Sequence, residues 1–430
     1  MAHDGSAGVS PDGWLPDRVS IGALTRSFPP QLVDRTIAET EAREERRRLL
    51  PARLVMYFVL ALWLFRGPNC GYGRVMTKLV DGLYHRRRAE IFLATGRLDK
   101  PIEAGVDRGR VRTWQQPNIS SLSRARAKLG PDPVRHLFEQ VAGPVAGPEA
   151  GGVWVCGLRV VSMDGSTCDV PDTKDNRAAF SGPGNDKRDG AFPQVRWVVA
   201  AESGTGALVE ATIGAYTTGE QTLARDVLGA FTPEMLVLAD RNFLSHTLVR
   251  DLLVTGAHLL WRASASFTLR PTKVLPDGTY LAQLRPARTA DGPPITLRVI
   301  DYTVHTTAID PATGEPDLDA EERSEVFTLV TDLLDVQAFP TLDLARAYPM
   351  RWECETVIKH HKSMGPGQPV LRSKDPEGVA QEMWALFAVY QALAHLIDAG
   401  VDATGLPPAA ISFPAALTAA TDTVGAFPPR

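Results

Sequence analysis

The chain has 430 residues, 44% of them hydrophobic and 22% charged, with a formal net charge of −4; this is ordinary for a folded protein of roughly two to four structural units with a large core. Its four cysteines (Cys70, Cys156, Cys168 and Cys354) are scattered, without a C-x-x-C pair or a His/Cys spacing, which argues against structural zinc and for free thiols in a reducing compartment. The charge is uneven: residues 1–150 carry 23 Lys and Arg against 16 Asp and Glu, and the remainder 23 against 34, so a basic front suited to a polyanion precedes a back rich in carboxylates.

The first residues, MAHDGSAGVSPDG, lack the basic and apolar regions of a signal peptide, and residues 1–20 are expected to be loose. Residues 21–150 are mostly helical in pattern. The longest apolar run, Leu54–Phe65, is too short to span a membrane and predicts a buried helix. No membrane partner is therefore expected, and the protein is placed in the cytoplasm, at the nucleoid if it binds DNA. The segment NISSLSRARAKLG pairs a Ser cap with Arg124, Arg126 and Lys128 and stops at Gly130; such a basic helix can lie on a DNA backbone.

After a Pro/Gly/Ala/Val-rich transition the pattern changes to short strands. Arg159–Met163 leads to Asp164, Gln194–Glu202 and Ala207–Tyr216 follow, and 177–191 is a polar, Gly-rich loop. Then come a helix (Glu220–Phe231), a strand (Glu234–Ala239) leading to Asp240, a helix (Ser245–Thr255) and a strand (Ala257–Arg262). This βββαβαβ order predicts an α/β layered core over 151–264. Residues 265–340 hold three further β runs and are read as a β-rich insertion. The core resumes over 341–400, with a last helix that Asp375 caps, Pro376 opens and Gly400 ends. The tail, 401–430, is expected to be loose.

Two aspartates, Asp164 and Asp240, thus follow apolar strands, at a rim that a ligand can reach. The third carboxylate comes from the segment YPMRWECETVIKHHK. With Tyr348 at zero on a helix of about 100° per residue, Arg351 falls near about 300°, Glu355 near about 340° and Lys362 near about 320°, while Glu353 falls near about 140°. One face therefore carries a phenol, a guanidinium, a carboxylate and an ammonium. Gathered carboxylates repel and need a divalent cation to stay ionised. Oxygen donors suit Mg²⁺ or Mn²⁺, and two such ions about 3.5–4 Å apart serve phosphoryl transfer. Arg351 and Lys362 are suited to flanking phosphates.

Tyr348, Arg351, Glu355 and Lys362 match Y-x2-R-x3-E-x6-K without a gap, and this resembles the signature of the IS4 family of bacterial insertion-sequence transposases. SMDGSTCDVPDT resembles the family's first-Asp region, ADRNF its second, PQVRWV a strand between them, and SIGALTRSFPPQLVDRTIAET…RLLPARLVMYFVLALWLF its N-terminal domain. The resemblance covers about residues 20–400. It implies an RNase H-like core, interrupted by the β-rich insertion and preceded by a helical N-terminal domain (21–150) for DNA binding and pairing. It also implies a catalytic, metal-holding triad of Asp164, Asp240 and Glu355, the last 115 positions after the second. Asp169 and Asp172 compete for the first place; Asp164 is preferred because it lies at the strand end. The implied activity is metal-dependent cleavage and strand transfer of double-stranded DNA at terminal inverted repeats, by cut and paste through a DNA hairpin, with two protomers pairing two ends. Hairpin formation calls for an aromatic on which a flipped base stacks, for which Trp261 and Trp352 are the candidates. Two alternatives stand beside this reading: a related nuclease without strand transfer, and an inactive DNA-binding remnant or regulator.

Overall fold

The computed structural model describes residues 19–43, 50–66, 70–80, 103–107, 110–113, 117–184, 192–306, 323–363, 370–405 and 411–424. In chain order the helices used below are α1 (Pro30–Glu39), α2 (Ala52–Leu64), α3 (Ile119–Leu129), α4 (Asp132–Val141), α5 (Lys174–Phe180), α6 (Glu220–Val227), α7 (His246–Val254), α8 (Thr341–Ala347), α9 (Arg351–Ser363), α10 (Pro376–Thr404) and α11 (Phe413–Thr423). The strands are β1 (Glu103–Asp107), β2 (Arg110–Thr113), β3 (Trp154–Val155), β4 (Leu158–Asp169), β5 (Gln194–Glu202), β6 (Leu208–Ala215), β7 (Met235–Ala239), β8 (His258–Arg262), β9 (Lys273–Val274), β10 (Tyr280–Leu284), β11 (Ile295–Thr306) and β12 (Arg323–Thr331). The chain divides into two compact units. One joins Met1–Ala142, Cys168–Gln194 and His360–Arg430; the other joins Gly143–Thr167 and Val195–Lys359.

The first unit is mainly helical and is built around α2 and α10. Every residue of α2 except Arg53 is buried, as an all-round apolar helix requires. Trp63 donates to the Glu382 carbonyl at 2.7 Å, and Phe138 of α4 packs 5.7 Å from Trp384 and 5.9 Å from Phe387. By length and composition α10 could cross a membrane, yet 61% of its most apolar stretch is buried inside the protein, and it packs against α2, α4 and α11. Asp375 caps it at Gly378 N, 2.8 Å away. The helix passes through Gly400, where it was expected to stop, and ends at Gly405, whose φ of 68° is the left-handed C-cap conformation. Gly400 serves close packing instead: a Cβ there would stand 3.0 Å from Ile411 Cδ1. Part of the tail that was expected to be loose forms α11, and its Phe413 stacks on His360 at 4.4 Å and Tyr390 at 5.0 Å. Within the segment read as helical, β1 and β2 pair as an antiparallel hairpin. Part of the stretch read as a polar loop forms α5, capped by Thr173.

The second unit is mixed α/β. Its large sheet has the order β6-β5-β4-β7-β8-β12-β11-β10-β9, with β3 paired to β4. Strands β4, β7 and β8 are parallel, whereas β8 to β12, β12 to β11, and β11 to β10 are antiparallel. The β runs after residue 265 therefore extend the same sheet. Alternation explains why all of β7 is apolar: Met235, Val237 and Ala239 enter one core with α6 and α7, while Leu236 and Leu238 enter another with Leu344 and Tyr348. The buried Arg298 is satisfied by Asp277, Thr279, Thr341 and the Phe339 carbonyl.

Candidate functional site

Parallel register places the two aspartates. Val160 to Met163 pair with Leu236 to Ala239, and the last pair is Met163 with Ala239. The next residues are Asp164 and Asp240, one step beyond the last register pair of two strands spaced about 4.8 Å apart. The sequence expectation that β4 ends at Asp164 is corrected here. The strand runs on to Asp169, and what ends at Met163 is its pairing with β7. Asp169 accepts from Gln194 Nε2 at 2.8 Å, and Asp172 is engaged by Arg177 at 2.6–2.7 Å.

The segment around the third carboxylate is not one helix. Pro349 lacks an N–H, and Tyr348–Met350 form a 3₁₀ turn between α8 and α9, which starts at Arg351. Even so, the turn brings Arg351 to 5.9 Å from the Tyr348 ring. Arg351 donates to Glu355 Oε1 at 2.7 Å, and its other terminal nitrogen is 3.9 Å from Asp164 Oδ2. The guanidinium, itself largely buried, thus lies between two carboxylates, while its Nε has no hydrogen-bond partner. Glu353 points elsewhere and accepts from Gly204 N. Lys362 lies on α9, but its side chain falls outside the described residues. Among the described residues no three His, Cys, Asp or Glu side chains are gathered closely enough to hold a metal ion; the Glu355 carboxylate is half exposed and turned to Arg351.

Trp352 is 56% exposed, next to Arg351, whereas Trp261 is 0% exposed. Trp261 is packed into the same core as Ala239 and Val330, so it offers no open face to a base. Sequence reasoning missed the residues that orient Asp240. Asn242 donates to it twice, from N at 2.8 Å and from Nδ2 at 3.1 Å, and Gln221 Nε2 in turn holds the Asn242 carbonyl at 2.7 Å. An Asn two positions after an Asp is a local clue to such a turn; the Gln221 contact has none, because it joins distant parts of the chain.

The electrostatics follow from this crowding. The Asp164 carboxyl is pushed up to about 6 from its ordinary 3.8. Burial is the main cause, reinforced by Asp240 and Glu355 and opposed by the Gly165 N–H and Arg351. Burial likewise pushes the Tyr348 phenol up to about 12, so it stays a protonated donor. The Arg351 cation is penalised by burial, but the Glu355 hydrogen bond and the negative charges of Glu355 and Asp164 outweigh that and raise its pKa.

An acid with a raised folded pKa favours the folded state when protonated. That contribution is complete below about pH 4 and is lost as the pH rises through about 6. Asp164→Asn keeps an oxygen for the Gly165 N–H, 2.8 Å from Oδ1, and removes the charge. Thermal melts in chelator should show Asp164→Asn more stable than the native chain at pH 7.5, on the order of 2 kcal/mol, with the gap closing towards pH 4. A native chain that is as stable as the variant at pH 7.5 would show that the Asp164 charge carries no such penalty.

Comparison with known proteins adds two family matches. The family described as "Insertion element 4 transposase N-terminal" matches residues 18–139, and that described as "Transposase DDE domain" matches residues 156–392. The chain is 24% identical over 384 residues to "Transposase InsG for insertion sequence element IS4" of Escherichia coli (strain K12), covering 87% of this chain and 76% of that protein. It is 28% identical over 143 residues to "Putative transposase InsZ" of the same organism, covering 33% of this chain and 48% of that protein.

Proposed function

The chain belongs to the IS4 family of DDE transposases, and on that premise we propose that it moves an insertion sequence by cut and paste, cleaving at terminal inverted repeats and joining the freed ends to a target through a hairpin intermediate. A DDE transposase acts on DNA with divalent metal ions; here we assign their ligands to Asp164, Asp240 and Glu355, and the ions themselves to magnesium, two per site. The strands β4 to β8 are read as the RNase H-like core, with the later strands as its β-rich insertion and the helical region 21–150 as the part that binds and pairs DNA ends in a homodimer.

The observation that carries the reading is the parallel register that sets Asp164 beside Asp240, together with Arg351 joining Asp164 to Glu355. In donor type these residues suit a hard divalent cation, although Glu355 is turned to Arg351 and the three carboxylates are not gathered around one point. The donors are carboxylate oxygens, and the raised Asp164 pKa reports negative charge held in a buried place, which a cation would relieve. When bound, such ions activate the attacking oxygen and stabilise the leaving one. The chain's own groups do the rest. Arg351 supplies a fixed positive charge beside the carboxylates, while Tyr348, 4% exposed, donates its neutral O–H to the Ala239 carbonyl at 3.4 Å and would have to give up that bond to reach a phosphate. Together with Lys362 they hold backbone phosphates in register with the triad. The exposed Trp352 is the platform for a flipped base; Trp261 would have to leave its core to take that role.

The test is incubation of the full chain with a labelled duplex carrying its element's own end, and a target plasmid, in Mg²⁺. Nicks, hairpins and joined products are expected in that order. Nicks without hairpins or joined products would point to a nuclease; specific end binding without any cleavage in Mg²⁺ or Mn²⁺ would overturn the proposal in favour of a DNA-binding remnant.

A further inference from the structure

We propose that Arg262 is a positioning residue that grips a backbone phosphate of the DNA beside Asp240, and that Glu325 holds its guanidinium in readiness until the phosphate replaces it. The inference rests on the reading of Asp164, Asp240 and Glu355 as the catalytic set.

Three parallel strands place this arginine. Met163, Ala239 and Trp261 are successive register partners across β4, β7 and β8. One residue further along each strand stand Asp164, Asp240 and Arg262, so Arg262 is third in a row whose first two members are the aspartates. The face is the same as well. Met163, Ala239 and Trp261 lie in one core, while Leu238, Leu260 and Tyr348 lie in the core on the other side of the sheet. Side chains alternate along a strand, so Asp164 and Arg262 share the side that carries Tyr348, and Asp240, the first residue after β7, places its charge near the same Tyr348 phenol as Arg262 does.

The guanidinium is held for recognition. It lies 4.0 Å from the centroid of Phe327, which stacks on Tyr302 at 5.5 Å and meets Tyr348 at 6.3 Å. The backbone behind it is pinned, with Ala263 N donating to the Thr328 carbonyl at 2.8 Å. A guanidinium stacked on an aromatic ring keeps its N–H edges free for a bidentate acceptor. Here that edge meets Glu325, whose side chain is 61% exposed. An ion pair to so exposed a carboxylate is weak, and a phosphate reached from the same rim competes with it on favourable terms. Arg298 of the same sheet shows what a structural arginine looks like here: it is fully buried and bonded to Asp277, Thr279, Thr341 and a carbonyl.

The experiment measures binding of the full chain to a fluorescent duplex carrying its element's own end, in chelator, across a salt series. Arg262→Gln should weaken binding about tenfold and reduce the slope of log affinity against log salt by about one, the signature of one lost phosphate contact. Arg262→Lys should restore part of both. Glu325→Gln, at an exposed site, should tighten binding several-fold. Unchanged affinity and slope in Arg262→Gln overturn the inference. Should that variant fail to fold by thermal melt, Glu325→Gln decides: tighter binding supports the proposal and unchanged binding overturns it. Cleavage by Asp240→Asn in Mg²⁺ separates the two readings. If that variant cleaves like the native chain, the catalytic site itself is misplaced; if it is inactive while Arg262→Gln binds normally, only the role of Arg262 falls.

Discussion

Asp240→Asn will abolish DNA cleavage, by on the order of 10³-fold or more, about 4 kcal/mol of transition-state stabilisation, while the protein keeps its fold. The substitution is nearly isosteric. Asp240 is half-buried, and its local bonds come from Asn242 N and Nδ2; an amide oxygen can still accept the backbone N–H. What is lost is the negative charge at the rim of β7, next to Asp164, and with it a ligand for a divalent cation. Glu355→Gln should fall as far, for the same reason, and in addition weakens the 2.7 Å bond from Arg351. The measurement is the single-turnover nicking rate of the labelled end duplex, with a melting curve to confirm the fold. Retention of even a tenth of the native rate by either variant would remove that residue from the catalytic set. Because carboxylates that act as one unit are not additive, the double variant should be no slower than the worse single one.

The second large effect is on stability, in the helical unit. Arg126 of α3 is 5% exposed, each nitrogen of its guanidinium is bonded, and two of them, Nε and Nη2, reach the start of α10. It donates to Gln381 Oε1, Tyr72 OH, Ser373 Oγ and the Gly378 carbonyl, and pairs with Glu382 at 3.2 Å. Glu382 is itself 4% exposed at its side chain. Arg126→Met fills much of the volume but leaves a buried carboxylate without its cation, which costs about 3–5 kcal/mol. Chemical denaturation should show that loss in the transition of the helical unit. The double variant Arg126→Met with Glu382→Gln should lose less than the two single losses combined, since each partner alone strands the other. A loss of under about 1 kcal/mol in Arg126→Met would mean that the cluster holds nothing together.

Arg126 also shows where reading along the chain reaches its limit. In NISSLSRARAKLG it stands with Arg124 and Lys128 as one more cation of a basic helix. In the fold Arg124 and Lys128 are exposed and Arg126 is buried, because α3 packs one stripe inward and the partners of the buried guanidinium come from 54 (Tyr72) to 256 (Glu382) positions away. Only the two exposed cations of that helix remain accessible to a DNA backbone.

Much was legible without coordinates. The apolar runs before Asp164 and Asp240, the cap at Asp375, and the buried α2 are local patterns, because strand alternation, capping and helix amphipathicity are properties of neighbouring residues. The family signature is equally local: Tyr348, Arg351, Glu355 and Lys362 lie within a few turns of chain, so their spacing can be read directly. What only the tertiary structure decided is non-local. The length of β4 beyond Asp164, the passage of α10 through Gly400, the enclosure of Trp261 against the exposure of Trp352, and the hold of Gln221 on the loop of Asp240 all depend on which segments pack together. The placing of Arg262 in line with two aspartates depends on parallel register. That register is set between strands far apart in the chain, and a slip of one residue would turn every side chain to the opposite face.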